Sequence, residues 1–323
     1  MLRVPLVGAR RPSAGSAPWP SSHRFGPRLQ YSSWHGNAPI FGVKAERPTG
    51  RALFQGLFDD AAVFPPELAP LPQAVTDHVA RQSSSYADLV GPLLLPASAI
   101  DDLLSLELPP LRVALIGRPG TKLALVAGAL SRLVVRPAVT VIGVEIGWSP
   151  DWLQAAGWGM SCSIEVPRGA ELQSALLDIQ AHADDPNLVQ AKLRTGSTPH
   201  RTGPTSRELA IFIRSFVDRD LSFKLTGELH RATSCTTSSG EDQFGFLNVI
   251  AATRWALAHG AEIPEMGFIL SEHDPAPILD IITRMSEADA SVVRAFFTSY
   301  GCCRVTDPIS DLVALGLIKE TQV

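Results

Sequence analysis

Two alternating segments with a helical one between them constrain this chain more than any other feature. Val189-Gln190-Ala191-Lys192-Leu193-Arg194-Thr195-Gly196 and Ser222-Phe223-Lys224-Leu225-Thr226-Gly227 repeat apolar and polar residues with a period of two, as a strand with two distinct faces does. From Ser206 to Val217 the apolar residues fall instead at helical spacing. Strand, helix and strand of these lengths form a crossover unit whose strands lie parallel and side by side. Its polar face then gathers Lys192, Arg194 and Lys224 at neighbouring strand ends.

The same rhythm runs upstream. Strands are expected at Leu89–Leu95, Arg112–Gly117, Val139–Ile146 and Ser161–Val166, with helices at Ala99–Leu106, Thr121–Leu133, Ser149–Ala156 and Ala170–Ala183. A further helix is expected near Pro72–Ser83, after the block Leu57–Pro66. Six β/α units argue for an α/β fold with a parallel sheet, a single TIM-type (β/α)8 barrel, with a doubly wound open sheet as the alternative. The C-terminal third is less regular. Helices are expected at Gly245–His259, Pro275–Ser286 and Asp289–Arg294, and a last strand at Ala295–Val305. The strand still missing is placed around Met266–Leu270.

At 323 residues and 45% apolar composition the chain can bury a large core. A net charge of −4 gives no electrostatic reason to expect nucleic acid or an anionic membrane. No apolar run reaches the roughly 18 residues that span a bilayer. Cys162, Cys235, Cys302 and Cys303 lack CxxC spacing and read as thiols of a reducing compartment, the adjacent pair as buried strand residues. The first 45 residues contain no Asp or Glu but carry Arg3, Arg10, Arg11, Arg24, Arg28 and Lys44, a composition shared by transit peptides and by disordered tails. Residues 1–50 are therefore set apart as a leader and residues 51–323 as one domain. The expected location is the cytoplasm, or a plastid or mitochondrion if the leader is a transit peptide.

Barrel active sites lie at the carboxyl ends of the strands. The polar residues there are Arg118, Glu145, Glu165, Lys192, Arg194, Lys224 and Thr226, with His230 just beyond. Barrel interiors are ordinarily filled by branched apolar side chains, so inward-facing ions on consecutive strands need pairing or a function. One reading is a buried salt-bridge network. The other is a site for a small carbonyl or phosphorylated metabolite. A lysine attacks a carbonyl only as the neutral amine, and a second cation within about 6 Å lowers its pKa. Lys192 or Lys224 would supply the Schiff base. Glu165 would move protons, and Arg194 would hold an anionic group in its bidentate fork. Glu145, Thr195, Gly196, Thr226 and His230 complete the expected binding residues. No cofactor is expected. A metal-assisted reaction at Glu145, Glu165 and His230, and a non-catalytic barrel that binds a metabolite or a protein, remain as alternatives. A small-molecule substrate is the expected partner, and a homo-oligomer is left open. Asp59-Asp60 either lies at the barrel mouth or caps a helix. Gly117-Arg118-Pro119-Gly120 would be an anion-binding turn short of one donor at Pro119.

The segment Lys192-Leu193-Arg194-Thr195-Gly196, its helix and the Lys224 strand resemble class I aldolases of the deoxyribose-phosphate aldolase type over about 40 residues. The resemblance implies a Schiff-base role for Lys192 and a supporting one for Lys224. Arg194 stands where that family has a small residue, and Glu228 where its phosphate-binding turn has a second glycine. From about residue 52 onward the chain resembles a largely uncharacterised bacterial and plant-type family. The motifs are Val63-Phe64-Pro65-Pro66, Lys192-Leu193-Arg194-Thr195-Gly196-Ser197, Phe223 to His230 and Gly245-Phe246-Leu247-Asn248-Val249. Ser197 and Glu228 replace glycines of that pattern, which implies altered or lost activity.

Overall fold

In the computed structural model, described over residues 50–182, 189–198, 201–259 and 262–319, eight parallel strands close into a barrel. The fold is the expected (β/α)8 type. In chain order it runs β1 (Phe58–Asp60), α1 (Leu71–Arg81), β2 (Val90–Pro96), α2 (Ile100–Leu104), β3 (Leu111–Ile116), α3 (Leu123–Leu133), β4 (Val139–Gly147), α4 (Leu153–Ala156), β5 (Ser161–Glu165), α5 (Leu172–His182), β6 (Val189–Arg194), α6 (Ser206–Val217) and β7 (Phe223–Thr226). Then come a small hairpin of β8 (Cys235–Thr236) and β9 (Asp242–Gln243), and the helices α7 (Phe246–His259), α8 (Ile263–Ser271), α9 (Pro275–Thr283) and α10 (Glu287–Phe296). Strand β10 (Phe297–Cys302) pairs with β7 on one side and β1 on the other, closing the barrel, and α11 (Thr306–Ala314) follows it.

The strand expected around Met266–Leu270 is not there. That segment is α8, whose first turn carries a capping box between Glu262 and Glu265 and a proline at Pro264. Its buried residues, Met266, Ile269 and Leu270, recur at helical spacing. The eighth strand is β1, three residues inside the Leu57–Pro66 block. The α6 boundaries come out as expected because Thr205 and Glu208 form a reciprocal capping box at its start. Of the expected leader, all but Gly50 lies outside the described residues, as does Ala183. Among the described residues no helix is long and apolar enough to cross a membrane.

Two apolar layers divide the molecule. The larger packs the outer faces of the strands against the helices. Over β7 and β10 it includes stacked rings, with Phe223 5.0 Å from Phe216 and 5.3 Å from Phe297. These rings pin the outer face of the strand that carries Lys224, so the lysine can only point inward. The smaller layer lies inside the barrel, where Ala61, Leu94, Ala114 and Ile116 pack with Phe64 and Ile142. It fills the β1–β4 side. The rest of the interior is charged.

Candidate active site

Six ions line up across the barrel interior with alternating sign: Asp59, Lys224, Glu145, Lys192, Glu165 and Arg194. Lys224 Nζ bonds to both Asp59 Oδ2 and Glu145 Oε1. Lys192 Nζ lies 2.8 Å from Glu145 Oε2 and 3.0 Å from Glu165 Oε2. Both are ion pairs without good hydrogen-bond geometry, and Glu145 Oε2 has no hydrogen-bond partner. Arg194 Nε closes the chain 3.3 Å from Glu165 Oε1, and Ser299 Oγ donates to Asp59 Oδ2 at 2.8 Å. Strand register dictates the order. Glu165 pairs with Lys192 and Lys192 with Lys224 on adjacent strands, while Glu145 reaches across from β4 to both lysines.

Three acids and three bases balance, which is the condition for keeping charge out of water. Five of the six residues are at most 9% exposed. Only Arg194, the last residue of β6, reaches solvent, with 36% of its side chain exposed. The pair-induced depression expected for the lysines does not occur, because Glu145 stands between them. Burial pulls both ammonium groups down, but the flanking carboxylates more than reverse it and hold Lys192 and Lys224 above the ordinary lysine range. Burial likewise pushes Glu145 and Glu165 up. Their cations outweigh it, taking Glu145 down to about 2 and Glu165 below its usual value. At Asp59 burial prevails over Lys224 and the carboxyl is raised.

These shifts set the dependence of stability on pH. Groups with depressed pKa stabilise the fold fully above about 4.5, the carboxylate reference, and lose that contribution as pH falls through their folded values. Asp59 runs the other way and partly offsets the loss. The raised lysines contribute below 10.5 and lose their contribution as pH rises past it. Urea unfolding is expected to give a plateau between pH 5 and 10, reference values that bound the two limbs, and a steep decline from about 4.5 to 2.

Sequence reasoning placed Lys192, Lys224, Glu145, Glu165 and Arg194 in one cluster, and the structure brings all five together. It left Asp59 undecided between the barrel mouth and a helix cap, because its strand is too short to show a period, and the structure places it with the interior ions. The available signal was two acids inside an apolar block. Asp59 faces inward, while Asp60 faces α1, where its Oδ2 meets His78 Nδ1 at 2.9 Å and Arg81 at 2.7 Å. Gly91 makes room for Asp59, since a Cβ there would sit 1.8 Å from Asp59 Oδ1. Gly91→Ala is therefore expected to cost about 1–3 kcal/mol by overpacking, read as a lower denaturation midpoint. An unchanged midpoint would contradict the placement of Asp59.

The remaining expected residues divide. Thr195 is buried, and its hydroxyl donates to Gly227 O at 2.5 Å, tying the ends of β6 and β7 together. Gly196 lies under Glu228, whose Cγ would be 3.1 Å from a Cβ at that position. Glu228 has a left-handed backbone, with φ of 58° after Gly227 at 87°. Its carboxylate accepts the Ser197 N–H at 3.1 Å. Thr226 faces inward beside Gly301. His230 is elsewhere, with its ring nitrogens 3.6–3.9 Å from the sulfurs of Cys302 and Cys303. Burial lowers the His230 pKa and raises Cys303 to about 11, so the cluster holds neutral thiols. Arg118 stacks over Phe64 at 5.3 Å rather than joining the ions. Among the described residues no group of three or more His, Cys, Asp and Glu side chains is arranged to hold a metal.

A cavity of about 460 Å³ reaches the ion chain from below. Its wall includes Arg112, Ser161, Gln190 and Thr298, at the amino ends of their strands, and its roof Asp59, Glu145 and Lys224. Compared with family models, curated proteins and solved structures, the chain matches none.

Proposed function

We propose that the chain is a barrel enzyme that cleaves or rearranges a small carbonyl metabolite through a Schiff base on Lys192. The observation that carries the reading is the position of Lys192, held between Glu145 and Glu165, with Glu165 held in turn by Arg194, the partly exposed member of the six ions. At rest Lys192 is charged and inert. An anionic group of the substrate that engages Arg194 weakens its hold on Glu165, so the proton affinity of Glu165 rises. Lys192 then passes a proton to Glu165, and the amine nitrogen attacks the carbonyl carbon. The carbinolamine hydroxyl leaves as water, taking the proton back from Glu165, and an iminium remains. The iminium then accepts the electron pair of a breaking carbon–carbon bond while Glu165 takes the hydroxyl proton of the departing fragment, which leaves as an aldehyde. The enamine takes that proton back, and water frees the product from Lys192. Lys224, between Asp59 and Glu145, keeps the far end of the chain neutral.

Glu228 narrows the substrate. Its carboxylate occupies the Ser197 N–H close to Arg194 and disfavours a phosphate dianion relative to a single carboxylate. The resemblance of the Lys192 segment to class I aldolases supports the chemistry, and the departure at Glu228 supports the change of anion. A panel of hydroxylated 2-oxo acids, simple aldehydes and sugar phosphates tests this. Turnover is expected with the oxo acids, and Arg194→Met should raise KM more than it lowers kcat. Turnover of phosphorylated substrates alone, or of none of the panel, would sink the reading.

A further inference from the structure

A second cavity, of about 470 Å³, opens at the amino face of the barrel, away from Arg194, and is lined by Ser161, Gln190, Asp220, Ser222, Arg294 and Thr298 among others. Arg294 lies in the last turn of α10, and its Nη2 donates to the carbonyls of Gln55 at 3.0 Å and Thr298 at 2.5 Å. Its Nη1 is buried and has no hydrogen-bond partner. Among the described residues no carboxylate pairs with it. Burial pulls the guanidinium down to about 10, and the field of Asp59, already engaged by Lys224, is what acts against that. A part-buried cation with no counter-ion and a buried donor left without an acceptor is costly unless something supplies them. The hydroxyls of Ser161 and Ser222 line the same wall and have no partner among the described residues. Asp220, the one carboxylate of the lining, is exposed at the rim, where water screens it.

We propose that this cavity binds a small oxyanion group, carboxylate or phosphate, with Arg294 as its cation and the hydroxyls of Ser161 and Ser222 as additional donors. Both carbonyls are held by Nη2, which leaves Nη1, the nitrogen without a partner, to donate a charge-assisted hydrogen bond to an oxyanion. The site is independent of the Schiff base proposed above, since it lies at the opposite end of the strands from Arg194. It shares Ser161, Gln190 and Thr298 with the cavity beneath Lys224, so it suits an effector or the anionic end of a longer ligand.

Thermal unfolding with inorganic phosphate or acetate, at constant ionic strength set with chloride, tests the site. A saturable rise in Tm is expected with one of them, phosphate marking a phosphoryl ligand and acetate a carboxylate. Ser222→Phe fills the cavity without altering Arg294 and should weaken that response at least tenfold. Arg294→Lys keeps the charge but cannot hold both carbonyls and also present a donor at the Nη1 position, and should weaken the response severalfold. Lys192→Met should bind as the wild type does, which separates this site from the proposed catalytic one. If neither anion gives a saturable shift, or if the response survives in both Ser222→Phe and Arg294→Lys, Arg294 is only a clamp between α10 and its neighbours and the proposal fails.

Discussion

Glu145→Gln is expected to destabilise the protein by about 3–5 kcal/mol, the range for breaking a buried ion pair by removing one partner. Glu145 is the centre of the chain, and its two oxygens serve both lysines. Without it Lys192 keeps Glu165 and Lys224 keeps Asp59, but the two ammonium groups face one another in a medium that screens them poorly. One lysine should then titrate low. A lysine with a depressed folded-state pKa penalises the fold most at low pH, and the penalty shrinks as pH rises toward the unfolded value of about 10.4. The variant should thus recover stability between pH 8 and 10, a window set by that reference value, where the wild type gains nothing. Denaturant midpoints across that range check both the size and the sign. A cost below about 1 kcal/mol, typical of exposed pairs, would mean that water reaches the interior charges.

Lys192→Met carries the largest expected effect on activity, a fall in kcat/KM on the order of 10⁴ or more, as when a covalent nucleophile is removed. Its cost to the fold should be smaller than that of Glu145→Gln, because methionine retains the apolar stem and each carboxylate keeps a cation. Glu145 stays with Lys224, and Glu165 with Arg194. Lys224→Met should lower turnover by about 10², the cost of misplacing a catalytic group rather than removing one, because Lys224 holds Glu145 and moves no proton. A larger loss from Lys224→Met than from Lys192→Met would assign the nucleophile to Lys224.

Much of this was legible in the sequence, for a definite reason. In β5, β6 and β7 the side-chain period of two separates Cys162 and Ile164, Ala191 and Leu193, and Phe223 and Leu225 from Glu165, Lys192 and Lys224 on the other face. Parity alone therefore predicted which residues share the interior. Parity does not give depth or reach, so it suggested two lysines in mutual contact. The structure instead interposes Glu145 from two strands away, which reverses the direction of their pKa shifts. A three-residue strand carries too few positions to show a period, so β1 was missed and Asp59 stayed undecided between the barrel mouth and a helix cap. An apolar run was then pressed into service as the eighth strand, although Pro264 at its start and the helical spacing of Met266, Ile269 and Leu270 marked it as a helix. His230 follows Lys224 closely in sequence, but the left-handed turn at Gly227-Glu228 carries it away to the sulfurs of β10. Arg294 gave no sequence signal at all, since an arginine in the last turn of an amphipathic helix ordinarily faces water.

The most direct test of the account is intact-mass spectrometry after sodium borohydride reduction in the presence of the carbonyl panel. Wild type, Lys192→Met and Lys224→Met would be run side by side. The account predicts one covalent adduct with an anionic carbonyl compound in the wild type and in Lys224→Met, and none in Lys192→Met. Turnover without any adduct in the wild type would contradict it, and would leave the two lysines as fixed charges that polarise a carbonyl without bonding to it.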